Sequence, residues 1–308
     1  MGQRNGFYSL NLSQNSLPFM ITIQNADIKA TINPKGAELN SLVLLASQLE
    51  FMWQGNPDFW GKHSPVLFPI VGGLKDNTYY FKGNAYTLPR HGFAREKTFV
   101  VEQQQSDSVT FLLTHDETTL VVYPFAFAFR VRYSLLNNQL KVSYLVENTN
   151  NDALWFSVGA HPAFKVPLVE GTQYNDYLLS FNQSEDWARW PLTPEGMVEK
   201  TPVLLAEQTT DLPLTKELFY EDALVFKNYR SNSVVLHTPK SSHSLQFDFP
   251  DFPYLGIWAA KNADFVCIEP WCGIADSVDH NQDITQKEGI VQLDGKESFE
   301  RSWTVTLG

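Results

Sequence analysis

Along 127–135, apolar side chains at Phe127, Phe129, Val131, Tyr133 and Leu135 alternate with Ala128, Arg130, Arg132 and Ser134. After Asn137-Asn138 the alternation resumes at Leu140, Val142, Tyr144 and Val146. A period of two puts every second side chain on one face of an extended strand, so each segment must bury one face and wet the other. The pattern returns near the C-terminus at Phe299, Trp303, Val305 and Leu307, interrupted only by Arg301. Turn-forming residues at Lys82-Gly83-Asn84, 148–152 and Asp294-Gly295 punctuate these runs. Apolar spacing at the helical period is scarce, and the best helix candidate is a short segment at 214–224. Many strands and few helices predict an all-β fold, an antiparallel sandwich.

No linker, low-complexity tract or internal repeat divides the 308 residues. The stretch 1–19 is polar and unpatterned, whereas Ile21 and Ile23 alternate with Thr22 and Gln24. An N-terminal extension at 1–19 and a single β domain over 20–308 are therefore expected. With 43% of residues apolar, such a domain can bury a large core.

The 23 basic and 34 acidic residues leave a formal charge of −11, which repels phosphate backbones and anionic membrane surfaces but not a neutral polyol. Neither nucleic acid nor membrane is an expected partner. No apolar run approaches the roughly 20 residues that span a bilayer, and the first 20 residues lack the charged and apolar regions of a signal peptide. The two cysteines, Cys267 and Cys272, match no common zinc spacing and read as reduced thiols of a cytoplasmic protein.

Four segments gather titratable groups among turn-forming and aromatic residues: Pro89 to Arg95, Val158 to Phe164, Asp251 to Trp258, and Cys267 to Cys272. Glu269 follows the apolar run Phe265-Val266-Cys267-Ile268 and precedes Pro270 and Trp271. Desolvation there would raise its pKa and suit it to accept a proton near neutrality; the alternative is a strand-end carboxylate, solvated or paired with an arginine. His161, between Gly159-Ala160 and Pro162, is either a proton donor or a turn histidine held by hydrogen bonds. His91 sits in a Gly-flanked turn with Arg90 and Arg95 nearby, whose charge favours a neutral imidazole. Tyr254, Trp258 and Trp271 offer rings that either stack on a pyranose or pack in the core. The histidine spacings fit no zinc motif, and P-loop, dinucleotide and Gly-x-Ser-x-Gly patterns are absent.

Taken in order, these segments resemble the galactose mutarotase-like (aldose 1-epimerase) superfamily, and most closely the mutarotase-like proteins associated with bacterial lactose operons. The likeness is carried by Gly36-Ala37-Glu38-Leu39-Asn40-Ser41, Pro65-Val66-Leu67-Phe68-Pro69, His91-Gly92-Phe93-Ala94-Arg95, Gly159-Ala160-His161-Pro162-Ala163-Phe164 and Ile268-Glu269-Pro270-Trp271. It implies a large antiparallel β-supersandwich with an open cleft, and interconversion of aldose anomers without a cofactor. It also implies Glu269 as general base, His161 as general acid, His91 as a second active-site histidine and Asp222 as a ligand of sugar hydroxyls. Where related proteins hold those hydroxyls with an arginine, the stretch 71–76 offers only Lys75.

Mutarotation requires a proton to leave the anomeric hydroxyl while another reaches the ring oxygen, so one carboxylate and one imidazole suffice. Glycoside hydrolysis needs two carboxylates flanking the bond, and these motifs supply one. The expected partner is a small-molecule sugar, hexose or hexose phosphate, and the expected assembly a monomer or homodimer. Arg90, Arg95 or Lys75 would bind a 6-phosphate, Trp258 a sugar face. The non-enzymatic alternative is a carbohydrate-binding or sensing protein that kept the cleft and lost turnover.

Overall fold

The computed structural model describes residues 20–308, and within them the chain is nearly all β. The expected extension at 1–19 lies outside the described residues. A sheet of fourteen strands dominates, and a four-stranded sheet built from Ile21–Gln24, Ile28–Asn33, Glu38–Leu44 and Leu49–Glu50 accompanies it. Two short two-stranded pairs complete the set, and every pairing between named strands is antiparallel. No helix among the described residues is long and apolar enough to cross a membrane.

The alternating segments behave as their period requires. Phe127–Leu136 and Gln139–Asn148 pair across the two-residue turn Asn137-Asn138, with Leu136 opposite Gln139. Asn137 takes the left-handed conformation at φ 52°, which asparagine tolerates and a tight hairpin demands. Phe127, Phe129, Val131, Tyr133 and Leu135 are all buried on one face, as are Leu140, Val142, Tyr144 and Val146. On the opposite face Arg130 reaches across two strands to Glu102 and Glu147. Ser298–Leu307 lies on the other side of Gln139–Asn148 and buries Trp303, Val305 and Leu307 in the same core. Arg301, which interrupts its alternation, lies over the Phe299 ring at 4.9 Å and faces Asp251.

The helix expected at 214–224 is not formed. That segment holds one 3₁₀ turn, Lys216–Phe219, and then enters the strand Leu224–Lys227. Pro213 closes the preceding strand, and Asp222 sits at φ 116°, a left-handed backbone that stops helical propagation. The α-helix present, Glu117–Val122, is a single short element whose N-cap Asp116 and Thr119 form a reciprocal capping box.

At one end of the large sheet, Phe265–Cys272 is buried at all eight positions. One side pairs with Tyr254–Trp258, which in turn pairs with Leu224–Lys227. The other side pairs with two short strands separated by a gap, Val158–Gly159 against Cys272 and Trp271, and Ala163–Lys165 against Cys267 to Phe265. The gap is Ala160-His161-Pro162.

Candidate active site

Extending the same register across that gap puts His161 opposite Glu269. Ala160 N–H donates to the Pro270 carbonyl at 3.1 Å, and Ile268 N–H to the Pro162 carbonyl at 3.3 Å. The position between them is therefore a non-hydrogen-bonded pair, the type in which opposed side chains approach most closely. His161 Nε2 and Glu269 Oε2 are 3.3 Å apart. The strand does not end at Glu269, as its position before Pro270 suggested, but runs through Pro270 to Cys272. At 160/270 an ordinary antiparallel pair would exchange two hydrogen bonds; proline has no N–H to return the second.

Period-two alternation collects the rest of the wall. Glu269 and Trp271 share a face with Gly256 and Trp258 of the neighbouring strand, since Gly256 pairs with Glu269 and Val225 with Gly256. Gly256 leaves that face bare, and the Trp271 indole lies over it: a Cβ built there would stand 2.5 Å from Trp271 Cζ2 and Cη2. Val225, Trp258, Glu269 and Trp271 line a cavity of about 550 Å³, within the range of small-molecule sites.

Four of the expected site residues join the pair in this cavity: His91, Arg95, Asp222 and Trp258. His91, at φ 68°, donates its backbone N–H to the Gly72 carbonyl at 2.9 Å, and Gly72 N–H donates to His91 Nδ1 at 3.1 Å. Accepting at Nδ1 fixes the neutral tautomer with its proton on Nε2. The His91 and His161 rings meet edge to face at 5.7 Å. Trp258 stands edge-on to His161 at 5.7 Å, and Trp60, which no sequence pattern marked, stacks on it at 5.0 Å. Lys75 stands apart. It begins a 3₁₀ turn and lines a separate groove with Leu74, Asp76 and Glu195, so it does not replace the missing arginine inside the cavity. Arg90 does enter the cavity wall, with its Nη2 donating to the Glu195 carbonyl at 3.3 Å. Trp271 lines the cavity, whereas Tyr254 faces a neighbouring depression with Trp190 and Lys227.

Burial governs the electrostatics. Glu269 is 2% exposed and His161 8%. Desolvation holds the Glu269 carboxyl well above its usual range, and the Asp222 carboxylate adds to it. The Trp271 indole N–H works the other way, although it lies outside hydrogen-bond geometry and has no partner. Desolvation lowers His161 to about 3, with Arg95 contributing. His91 falls well below its ordinary value through desolvation, then His161, Arg95 and Arg90. The same burial favours the neutral form of both histidines.

Among the described residues, His161, Cys267 and Glu269 form a buried group whose ligand-type atoms lie within 4.8 Å of one another. Burial, reinforced by Glu269, pushes the Cys267 thiol well up, which opposes the thiolate a metal needs. His161 Nδ1 is buried without the outer acceptor that normally orients a ligating histidine. The donor set fits a proton-transferring pair better than a metal centre. Cys267 and Cys272 are both buried free thiols.

Residues 20–295 match the family model described as aldose 1-epimerase. Chromosomal protein LacX of Lactococcus lactis subsp. lactis is 30% identical over 298 residues, taking in 93% of this chain and 99% of LacX. A galactose mutarotase related enzyme from Lactobacillus acidophilus superposes with a TM-score of 0.90 at 39% identity, covering 94% of this chain and 97% of that one. A galactose mutarotase-like protein from Lactobacillus casei gives 0.89 at 32% identity, covering 94% of this chain and 100% of its own.

Proposed function

Because the chain belongs to the aldose 1-epimerase family, we propose that it is a mutarotase that opens and recloses the hemiacetal ring of a hexose, with Glu269 as base and His161 as acid. The 3.3 Å contact of these two groups in the wall of one sugar-sized cavity carries the reading. Glu269 takes the proton of the anomeric hydroxyl while His161 protonates the ring oxygen. The C1–O5 bond breaks to give an aldehyde, C1–C2 rotates, and the ring closes with the roles reversed. His91 Nε2–H and the Asp222 carboxylate hold hydroxyls, and Trp258 and Trp271 cover the apolar face of the sugar.

The proton count supports this division of labour. Carboxylate plus imidazolium and carboxylic acid plus imidazole carry the same single proton and the same net charge. The first form starts ring opening and the second remains after it. Burial favours the neutral form, so the environment that disfavours the resting ion pair stabilises the open-chain state. A proton shift across one contact connects the two forms.

A second reading rests on a specific observation. Arg90 and Arg95 both line the cavity, and neither meets a carboxylate at ion-pair distance among the described residues. Arg95 spends one N–H on the Arg90 carbonyl at 2.9 Å. A guanidinium with unused donors suits an anionic substituent, and a hexose 6-phosphate supplies one.

Polarimetry on freshly dissolved α-galactose and α-glucose, with the 6-phosphates followed by NMR, tests both. Glu269→Gln and His161→Asn should each slow the catalysed decay by roughly 10²- to 10⁴-fold, the usual worth of a positioned proton transfer, while sugar binding persists. Arg95→Gln should impair the 6-phosphate selectively if that is the substrate. A protein that binds sugar yet leaves every decay at the buffer rate is a binding protein, not a mutarotase.

A further inference from the structure

Behind the cavity wall, Asp276 is 1% exposed and Lys287 3%, and neither lines the cavity. Lys287 Nζ donates to Asp276 Oδ1 at 2.6 Å, and His280 Nδ1 lies 3.3 Å from the same oxygen. The second carboxylate oxygen accepts the backbone N–H of Lys75 at 2.9 Å. The Asp276 backbone is equally committed: its N–H donates to the Gly73 carbonyl at 2.9 Å, and its carbonyl accepts Val198 N–H at 2.8 Å. Burial alone would raise this carboxyl; His280, Lys287 and the Lys75 N–H overcome it and hold it at about 2.

One residue thus ties together three stretches that line or flank the cavity. The seam between two of them is tight, since a Cβ on Gly72 would stand 2.5 Å from the Ala275 Cβ. Gly72 is the residue whose N–H engages His91 Nδ1. With no direct contact to the histidine, Asp276 fixes where that N–H points by gripping Gly73 and Lys75 on its C-terminal side.

We propose that Asp276 is a positioning residue that sets the tautomer and aim of His91 through the 72–75 segment. The buried charge of Lys287 keeps its carboxylate ionised and in place. The proposal rests on the mutarotase reading only for its kinetic consequence; the tautomer itself is measurable without turnover.

Removing one partner of a buried ion pair is strongly destabilising, whereas replacing both by apolar residues is often tolerated. Asp276→Leu with Lys287→Met therefore removes the side-chain grip on Lys75 without stranding a charge and leaves the backbone bond to Gly73, and Asp276→Asn with Lys287→Met keeps an acceptor for Lys75 N–H. Nitrogen-15 NMR of the imidazoles, with His91 assigned from a His91→Asn control, should give one Nε2–H tautomer in the wild type and the Asn/Met protein. The Leu/Met protein should show a tautomer mixture and a roughly tenfold rise in KM, the worth of one substrate hydrogen bond. If the Leu/Met protein does not fold, Lys75→Pro deletes the backbone N–H donor and leaves Asp276 and Lys287 intact. Leu74 before it is extended at φ −101°, ψ 147°, as a residue preceding proline must be, and Lys75→Ala controls for the side chain. A single unchanged His91 tautomer in the folded Leu/Met protein, or in Lys75→Pro, overturns the proposal. A tautomer mixture with unchanged kinetics leaves the positioning intact and removes His91 from the sugar site.

Discussion

Gly256→Ala probes the support of the cavity wall, where the Trp271 indole lies over bare backbone. The added Cβ would stand 2.5 Å from two atoms of the Trp271 indole, against 3.4 Å for ordinary contact, so the ring must retreat by about 0.9 Å. It has little room, because on its other side a Cβ on Gly159 would already lie 2.7 Å from Trp271 Cδ1. Overpacking a well-filled site costs about 1–3 kcal/mol, which at roughly 2–4 °C per kcal/mol for a chain of this order predicts a Tm lowered by about 2–12 °C. The catalytic effect should be larger than the stability effect suggests. Gly256 is the direct cross-strand neighbour of Glu269, and a misplacement near 1 Å costs up to about 10²-fold in rate. Scanning calorimetry and mutarotation kinetics on one preparation check both numbers. A variant with wild-type rate and Tm would refute the claim that bare backbone at 256 gives Trp271 its place.

Three further outcomes are expected. His161 stays neutral to about 3, so the pair gains its second proton only there, and the rate should hold level from neutrality to about pH 4 before falling tenfold per unit; a limb near pH 6.5 would contradict it. Between 6.5 and about 3 the unfolded chain protonates this histidine and the folded chain does not, so its contribution to folding stability falls as pH drops through that window, a slope that denaturant titrations should find reduced in His161→Asn. Asp222→Asn removes a like charge that raises Glu269, so the alkaline limb of the rate profile should move to lower pH; no movement would separate Asp222 from Glu269.

The sequence carried the strands that have one wet face. Phe127–Leu136 and Gln139–Asn148 were legible with their turn because burial on one side only writes period two into the residues. Phe265–Cys272, buried on both faces, writes no alternation, and its extent past Pro270 had to come from the fold. The chemically distinctive residues His91, His161, Glu269, Asp222, Arg95 and Trp258 line one cavity. Trp60 and the 72–75 and 192–198 segments arrive through loops, where position is set by long-range contact rather than local pattern. Lys75 misled for the same reason: its charge is local information, but the direction of a 3₁₀ turn is not. The absent helix at 214–224 shows a backbone constraint at Asp222 overriding weak periodicity.

The register explains why a carboxyl and an imidazole separated by more than a hundred residues meet so closely. Adjacent antiparallel strands offer two kinds of opposed positions, and only the non-hydrogen-bonded kind brings side chains together without ladder bonds between them. His161 and Glu269 occupy such a position, flanked by the 160/270 and 162/268 contacts. Proline at 270 deletes one ladder bond beside the pair, and proline at 162 removes another donor from the short connecting segment. The sheet is therefore weakest where the two side chains must leave the pleat and face the cavity, and intact immediately on either side. Restoring the missing donor with Pro270→Ala should leave the cavity residues in place yet allow the 160/270 pair to exchange both bonds. If the break in the ladder serves catalysis, that variant gains stability and loses rate; equal rates in the two proteins would make Pro270 a feature of the strand alone.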